Sequence, residues 1–518
     1  MVDYDRDKPF ENQTLPGTMV EAFVAARAEA PDHTALIIGE EQATYRQYGD
    51  AAAALANRLG NLNIEGERVA VLMGNSIEMS AVVYGIWGAG GIIVLLNPLY
   101  TERELTALIG DAAPKVVVYQ SVFAEKIDPI AAKRGVQHRL ALGEGGITWT
   151  ELSDIGGSYP IIEPSPADTC SLQYTGGTTG LPKGAQHSHS ELVAGAAQMD
   201  WCWPGELQTN VWLNVAPQFH IWGLTMTLLV PVLRQDTVVM TNGFEPDKVL
   251  ATIPRHKVTL FAGGPAPIFN GLMGHPDFKN TDFTSLRLCG GGGSPIPIET
   301  EKSWKAVTGV TIHEAYGMSE GAPISATSTE DINKIGTCGP AVPGTEIRVV
   351  DVEDSTKVLD VGEDGEITFR GPQMMKNYWK RDQETAETIR NGWLHTGDIG
   401  HLDKDGDVVI VDRKKDMAIV NGFNVFPREI DEVLFSHPEL VDAAAVGVPD
   451  QKTGEVIHAY VVPYVGSTVD AEALTRFCQE QLVKYKVPAK IIVVESLPKT
   501  GAAKTDKRSL RDRSISNV

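Results

Sequence analysis

The sequence predicts an α/β protein with a large N-terminal domain of parallel sheets flanked by helices, a small β-barrel-like part, and a small α+β C-terminal domain. In the first half, helix-like stretches alternate with short β-branched runs such as Val69–Met73, a rhythm typical of βαβ units. After about Thr337 the pattern changes to short strands with tight turns, and past Arg413 a new mixed unit begins. We therefore expect domains over 1–412 and 413–518.

Length and composition favour a folded protein of more than one domain. The chain of 518 residues exceeds the usual size of one domain, and 42% hydrophobic with 22% charged residues is typical of an ordered globular enzyme. A formal charge of -22 repels polyanions, so we expect no nucleic-acid partner. ATP is not excluded, because backbone N–H groups and a few placed cations set the potential of a nucleotide site.

The cysteines and the apolar stretches favour a cytoplasmic protein without a transmembrane segment. The five cysteines are scattered, with neither zinc spacing nor a disulfide framework. Residues Met1 to Pro9 lack an apolar signal core. The most apolar run, Ala81 to Leu96, is shorter than the roughly 20 residues of a membrane span. We expect this run to form a buried helix that leads into a buried strand.

Turn signals place several later elements. Asp405-Gly406, between two apolar runs, predicts a hairpin. The surrounding aspartates faintly resemble a calcium loop, but the bidentate Glu that ends such a loop is missing, so we do not expect calcium. In the C-terminal unit we expect helices at Pro427 to Ser436 and Asp470 to Leu482, and strands at Ala443 to Val448 and His458 to Val465.

The segment from Tyr174 to Gly184 has the composition of a polyphosphate-binding loop. Glycines allow close backbone approach, threonine hydroxyls donate hydrogen bonds to phosphate oxygens, and a lysine adds positive charge. It is not a Walker A or a kinase loop, because their sequence patterns are absent. The alternative is a flexible surface loop. The candidate nucleotide-binding residues are Thr175, Gly176, Gly177, Thr178, Thr179, Gly180 and Lys183.

This loop resembles the phosphate loop of the adenylate-forming superfamily, which includes acyl-CoA synthetases, firefly luciferase and the adenylation domains of peptide synthetases. The resemblance continues in order from about Tyr45 to Arg511. One departure is Gly177, where the family usually has Ser. The resemblance implies the same fold, with a C-terminal domain that is mobile.

Further motifs carry the resemblance, and their roles are implied by it. Tyr316-Gly317-Met318-Ser319-Glu320 is similar to a family segment in which the hydroxyl residue meets phosphate and Glu320 helps to hold Mg²⁺. His395-Thr396-Gly397-Asp398 is similar to the segment whose Asp grips the ribose hydroxyls, although Asp398 taken alone is also a common turn residue. In Arg413-Lys414-Lys415-Asp416, Arg413 also reaches the ribose and Lys415 is the pivot of the domain.

The C-terminal end resembles the family segment that delivers the catalytic lysine, which we identify as Lys504. Before this lysine the family usually has Gly, and this chain has Ala503; Ala is costly there only if the residue adopts a positive φ. Gly422 and its neighbours resemble the face that forms the pantetheine tunnel for CoA.

A glycine-rich segment and a histidine complete the candidate site. The loop around Gly290 to Gly293 resembles the one that lies against the adenine and the acyl group, and we include Gly292, Gly293, Ser294 and Pro295. His220 resembles the histidine beside the substrate carboxylate, although a lone histidine is more often a buried core residue. We assign catalytic roles to Lys504, His220 and Thr175, and read His187 and His189 as structural.

The resemblance implies a ligase that forms an acyl-adenylate from ATP and a small-molecule carboxylic acid, then an acyl-CoA thioester. Trp222, the glycine loop and Ala322 suggest an open apolar pocket and hence a medium- or long-chain fatty acid. An aryl or cinnamoyl acid is the alternative, and so is transfer to a carrier protein, although no carrier-domain serine follows. Whether the protein forms a homodimer is a question that the sequence leaves open.

Two other classes of protein fit the sequence less well. Gly317 to Gly321 also reads as G-x-S-x-G, the nucleophile elbow of α/β-hydrolases. An elbow needs a helix directly after Ser319, whereas Gly321-Ala322-Pro323 breaks a helix. An inactive nucleotide-binding or scaffold protein would be expected to lack Glu320, Asp398 or Lys504, and all three are present.

Overall fold

The computed structural model describes residues 8–175, 182–328, 334–450, 452–464, 466–467, 469–500 and 504–516. Strands and helices alternate through the first part, as the sequence pattern predicts. The strands there are β1 Thr34–Ile38, β2 Glu41–Thr44, β3 Arg68–Leu72, β4 Ile92–Leu96, β5 Val116–Gln120, β6 His138–Leu142, β7 Thr169–Tyr174, β8 Gly184–Ser188, β9 Val211–Asn214, β10 Thr237–Met240, β11 Leu260–Gly264, β12 Leu288–Gly292, β13 Ile312–Met318 and β14 Gly321–Ala326. The helices there are α1 Met19–Glu29, α2 Tyr45–Gly60, α3 Ile77–Gly88, α4 Glu102–Ala112, α5 Ala124–Lys133, α6 Trp149–Ile155, α7 His189–Cys202, α8 Ile221–Leu224, α9 Val230–Arg234, α10 Pro246–Arg255, α11 Ala266–Met273 and α12 Ile298–Thr308.

Two sheets organise this part, with parallel inner strands; both edges of the first sheet are antiparallel, whereas the β6 edge of the second is parallel. The first has the strand order β14-β13-β12-β11-β9-β10-β1-β2, and β1/β2 and β13/β14 are its antiparallel pairs. The second has β8-β7-β4-β3-β5-β6, extended beyond β8 by a short later strand. Because parallel strands end at the same edge, loops from several strands meet there, which is where open α/β sheets bind ligands.

The remaining elements form an antiparallel sheet and then a second α+β unit. The former contains β15 Glu346–Val350, β16 Gly365–Arg370, β18 Ile389–Arg390, β19 Trp393–Leu402 and β20 Val408–Arg413, while β17 Asn377–Tyr378 joins β8 and α13 spans Asp382–Thr388. The latter contains β21 Ala418–Val420, β22 Phe423–Val425, β23 Leu440–Asp450, β24 Gly454–Pro463 and β25 Lys490–Val493, with α14 Pro427–Phe435, α15 Ala471–Gln481 and α16 Lys507–Ser516. The predicted fold class is confirmed.

Local sequence signals explain where the helices begin. Thr44, Thr101, Thr148 and Ser188 each cap a helix, and each is reciprocated by a Gln or Glu three residues later. These capping boxes satisfy backbone N–H groups that have no partner inside the helix. These local sequence signals therefore determine the residue at which each of the four helices begins.

The most apolar run is buried, as predicted. It forms most of α3 and all of β4, and every residue of both elements except Glu78 is buried. Among the described residues, no helix combines the length and the apolar character that crossing a bilayer requires.

The hairpin predicted at Asp405-Gly406 joins β19 to β20, with a loop longer than two residues. Asp403 accepts backbone N–H groups of Asp405 and Asp407 in this loop. The ammonium group of Lys334 contacts the carboxylates of Asp403 and Asp405. A lysine thus supplies the positive charge beside these aspartates.

The close contact of α2 with α3 depends on a glycine. A Cβ atom at Gly85 would lie 2.6 Å from the Leu55 Cβ and 3.3 Å from the Ala52 carbonyl oxygen. We predict that Gly85→Ala lowers the free energy of unfolding by about 1–3 kcal/mol, because overpacking exceeds the gain of about 1 kcal/mol in helix propensity. Chemical denaturation measures the change. Gly74→Ala, whose nearest contact would be 3.7 Å away, is the control; equal effects of the two substitutions would contradict this packing.

Candidate active site

The predicted site residues follow the ends of strands that meet at one edge of the two parallel sheets. Thr175 follows β7, Gly293 follows β12 and Ser319 follows β13. Asp398 in β19 lies opposite Arg413 in β20, so the antiparallel sheet adds a second set of polar side chains. Backbone pairing thus determines how these groups are placed.

The base of the predicted phosphate loop is held by mutual hydrogen bonds. The Thr175 N–H donates to the Lys183 carbonyl at 2.9 Å, and the Lys183 N–H donates to the Thr175 hydroxyl oxygen at 3.4 Å. The Lys183 ammonium lies 4.8 Å from the centroid of the Tyr378 ring. Gly176, Gly177, Thr178, Thr179 and Gly180 lie outside the described residues.

Glu320 presents a buried carboxylate on which the charge of Lys183 acts. Its Oε1 accepts a hydrogen bond from the Tyr378 hydroxyl, and burial raises the pKa of Glu320. No group of three or more acidic, His or Cys side chains able to hold a metal occurs within the described residues. Mg²⁺ commonly takes one or two protein carboxylates and completes its shell with water and nucleotide phosphates. Glu320 fits such a site once a nucleotide is bound.

Asp398, Tyr316 and Arg413 form a connected polar group. The Tyr316 hydroxyl donates to Asp398 Oδ2 at 2.7 Å, and Arg413 Nε lies 3.1 Å from Asp398 Oδ1. Asp398 is 5% exposed, and its charge raises the pKa of Arg413. A buried carboxylate flanked by an arginine and a phenol suits a neutral ligand edge rich in hydroxyl groups.

Lys504 reaches the site from the C-terminal unit. A Cβ atom at Gly293 would lie 3.6 Å from Lys504 Cε, so the lysine rests against this glycine. Burial, with a contribution from Arg413, lowers the pKa of Lys504 to about 8. Burial and the charge of Lys504 lower the pKa of His220 to about 3, so this imidazole is neutral. His220 Nδ1 accepts the Trp222 N–H at 3.3 Å.

The glycines of β12 make room for two tryptophan rings. A Cβ atom at Gly290 would lie 2.6 Å from the Trp203 ring, and one at Gly292 would lie 2.7 Å from the Trp222 ring. The two rings meet edge to face, 6.3 Å apart. Indole rings thus occupy the space beside Gly290 and Gly292, while a cavity stays beside Trp222 and Gly293. Beyond β12, Ser294 is partly exposed and Pro295 is exposed.

Two cavities with some lining residues in common lie in this part of the protein. The smaller, of about 140 Å³, is lined by His220, Trp222, Gly293 and Lys504 among others. The larger, of about 530 Å³, shares Val215, Pro217 and Gly243 with it and extends towards the exposed Leu99 and Val122. Glu144 is the only charged residue on the wall of the larger cavity that the structure describes.

Some predicted residues lie elsewhere. Gly422 is exposed, at the turn between β21 and β22 with φ +82°. Lys415 lies in the turn between β20 and β21. Neither residue lines the smaller cavity beside Lys504 or the larger cavity. Ala503 lies outside the described residues, so the effect of replacing the family's glycine stays a prediction.

The structure adds residues that the sequence reading did not assign to the site. Tyr378 reaches Glu320 because β17 pairs with β8, a contact without a local sequence signal. His187 Nε2 lies 2.7 Å from the Ser319 carbonyl oxygen and positions this loop. The segment after Ser319 is strand β14 and not a helix, so the hydrolase elbow is excluded.

Comparisons with known proteins identify the family of this chain. The family model "AMP-binding enzyme" matches residues 23–379, and "AMP-binding enzyme C-terminal domain" matches 429–504. A long-chain-fatty-acid–CoA ligase of Escherichia coli O157:H7 is 34% identical over 99% of this chain and 98% of its own length. A feruloyl-CoA synthase of Amycolatopsis is 33% identical, over 93% of this chain and 96% of its own length.

A solved structure shows the same architecture over nearly the whole chain. The anthranilate CoA ligase AuaEII, in complex with anthranoyl-AMP, has a TM-score of 0.90 and 27% identity, covering 98% of this chain and 99% of that one. The chain belongs to the AMP-binding enzyme family, as its motifs predicted. Within the adenylate-forming superfamily it is a member of the acyl-CoA synthetase branch, the AMP-forming CoA ligases.

The lowered pKa of Lys504 is directly measurable. A lysine amine reacts with acylating reagents only when it is deprotonated, so labelling of Lys504 should rise with a midpoint near pH 8. Labelling at a series of pH values, read by mass spectrometry of the C-terminal peptide, measures this midpoint. A midpoint near the ordinary value of 10.5 would show that Lys504 is not shielded from water as described.

Proposed function

We propose that this CoA ligase acts on a medium- or long-chain fatty acid and that Lys504 drives the first of two chemical steps. The observation that carries the proposal is the position of Lys504 against Gly293 and beside His220. A carboxylate and ATP are both anionic, so a cation at their meeting point stabilises the charge that builds up in the transition state.

In the first step a carboxylate oxygen attacks the α-phosphorus of ATP, and the bond from that phosphorus to pyrophosphate breaks. Thr175 and Lys183 flank the loop proposed to hold the phosphates, and Asp398 with Arg413 is proposed to bind the ribose. Tyr316 supports Asp398 through its hydrogen bond. Neutral His220 is proposed to orient the substrate carboxylate without adding charge.

Mg²⁺ is proposed to bind at Glu320 together with the phosphates. When bound, the ion would neutralise phosphate charge during the transfer. Tyr378 holds Glu320 in place through its hydroxyl. Burial raises the pKa of Glu320, and the Tyr378 hydrogen bond, followed by the charges of Arg413 and Lys183, opposes that rise.

In the second step the thiol of CoA attacks the carbonyl carbon of the acyl-adenylate, and the bond to AMP breaks. We propose that residues 413–518 rotate as a domain about Lys415 between the steps, so that Lys504 leaves and the face around Gly422 arrives. The larger cavity supports the thioester step, because its almost uncharged wall suits the neutral pantetheine arm.

The acyl group is the finer part of the proposal. Relatives named as long-chain-fatty-acid–CoA ligases support a fatty acid, since they match the chain over almost its full length. The indole pair Trp203 and Trp222 is the observation that favours an aryl acid instead, because flat rings stack on aromatic substrates.

The choice of acid is testable with one panel. Wild-type protein is incubated with ATP, Mg²⁺, CoA and either octanoate, dodecanoate, palmitate, ferulate or anthranilate, and AMP, ADP and acyl-CoA are quantified. We expect AMP and pyrophosphate in each productive reaction, and the highest kcat/KM for a fatty acid. Preference for an aryl acid would establish the alternative, and acid-dependent ADP without AMP would overturn the mechanism.

The role of Lys504 predicts that its loss separates the two steps. Lys504→Ala should slow acyl-adenylate formation by roughly 10²–10³-fold, as expected for one electrostatic contact in a transition state. Conversion of supplied acyl-adenylate with CoA should stay close to the wild-type rate. Lys484→Ala, at an exposed lysine of the same unit, is the control and should change neither rate. Comparable damage to both steps would show that another group is responsible.

A further inference from the structure

Helix α14 connects the C-terminal unit to the part of the chain before residue 413. The Arg428 N–H donates to Asp412 Oδ2 at 2.9 Å, and Arg428 Nη1 donates to the Ile410 carbonyl. One turn later, Glu432 Oε2 accepts the N–H of Ile298 at 3.4 Å. Ile298 is the first residue of α12, so α14 lies against the beginning of that helix.

Beneath this contact lie two buried carboxyl groups, Glu301 of α12 and Glu314 of β13. They are 2% and 4% exposed, and they lie close enough for each to shift the pKa of the other. Burial raises the pKa of both, and Arg428 is the foremost opposing influence on Glu314. Glu314 Oε2 also accepts the Ile296 N–H at 3.2 Å. The arginine therefore provides the positive charge for a buried acidic pair on the other side of the interface.

We propose that Arg428 is a positioning residue that holds the C-terminal unit in the orientation in which Lys504 lies against Gly293. Its backbone and guanidinium group contact Asp412 and Ile410, and its charge compensates Glu314. The contacts stabilise one orientation only, because rotation about Lys415 carries Arg428 away from Glu314. Arg428 thus favours acyl-adenylate formation over thioester formation. This inference rests on the proposed function.

Half-reaction rates on full-length variants test the proposal, using the fatty acid that wild type converts fastest among octanoate, dodecanoate and palmitate. Arg428→Ala should slow acyl-adenylate formation by about 10- to 100-fold, as expected for a shifted two-state equilibrium. Thioester formation from supplied acyl-adenylate and CoA should be unchanged or faster. Arg476→Ala, at an exposed arginine of the same unit, is the matched control. Equal loss in both steps, or no loss, would overturn the proposal.

A second substitution separates positioning from general damage. Arg428→Ala leaves Glu314 buried without its cation, and Glu314→Gln removes that charge, so the double variant should recover at least part of the first step. Arg428→Lys should lie between wild type and Arg428→Ala, since it keeps the charge but not the planar fork. A double variant no better than Arg428→Ala would count against coupling through Glu314.

Hydrogen exchange gives a readout that does not depend on activity. In Arg428→Ala, peptides covering 296–304 and 427–435 should exchange faster than in wild type, because the interface opens more often. Peptides from β23 and β24 should be unchanged, which would show that the C-terminal unit stays folded. Unchanged exchange at 296–304 would refute the positioning role. Absence of any acyl-adenylate with wild type would instead refute the proposed function.

Discussion

The ammonium group of Lys504, held partly out of water, is the feature on which the proposed chemistry depends. Shielding lowers its pKa to about 8, and the same shielding strengthens its attraction for an anion, since electrostatic energies rise as the effective dielectric falls. A single unit of the protein does not create this environment. Gly293 and His220 lie in segments that follow strands of the first parallel sheet, whereas Lys504 precedes α16.

Local sequence signals were sufficient to predict the helices and strands of the first part and the candidate site residues near strand ends. The alternation of apolar runs with helix-like stretches predicted the parallel sheets, and the glycine-rich loop after β7 predicted a phosphate site. The roles of Asp398, Arg413 and Lys504 came from motif resemblance, and the structure brings these three groups to one region. They are close because β19 pairs with β20 and because the C-terminal unit is docked.

Contacts between residues that are far apart in the sequence could not be predicted. Tyr378 lies 58 residues from Glu320, and their hydrogen bond depends on the pairing of β17 with β8. The sequence predicts a helix that begins at Pro427 but does not single out Arg428, which contacts Asp412 and Ile410. Trp222, the glycine loop and Ala322 were read together as an open apolar pocket, and nothing in the glycines' own sequence shows that the Trp203 ring packs against Gly290.

The way these tryptophans fill the space has a consequence for how the enzyme can diversify. The last three residues of β12 are glycines, so the Trp222 ring of α8 packs against Gly292 and lines the smaller cavity. Replacing this ring alters the volume of that cavity while the hydrogen-bonded sheet stays as it is. Cavity volume can thus change by single substitutions at this ring, while the backbone that leads to Gly293 stays in place.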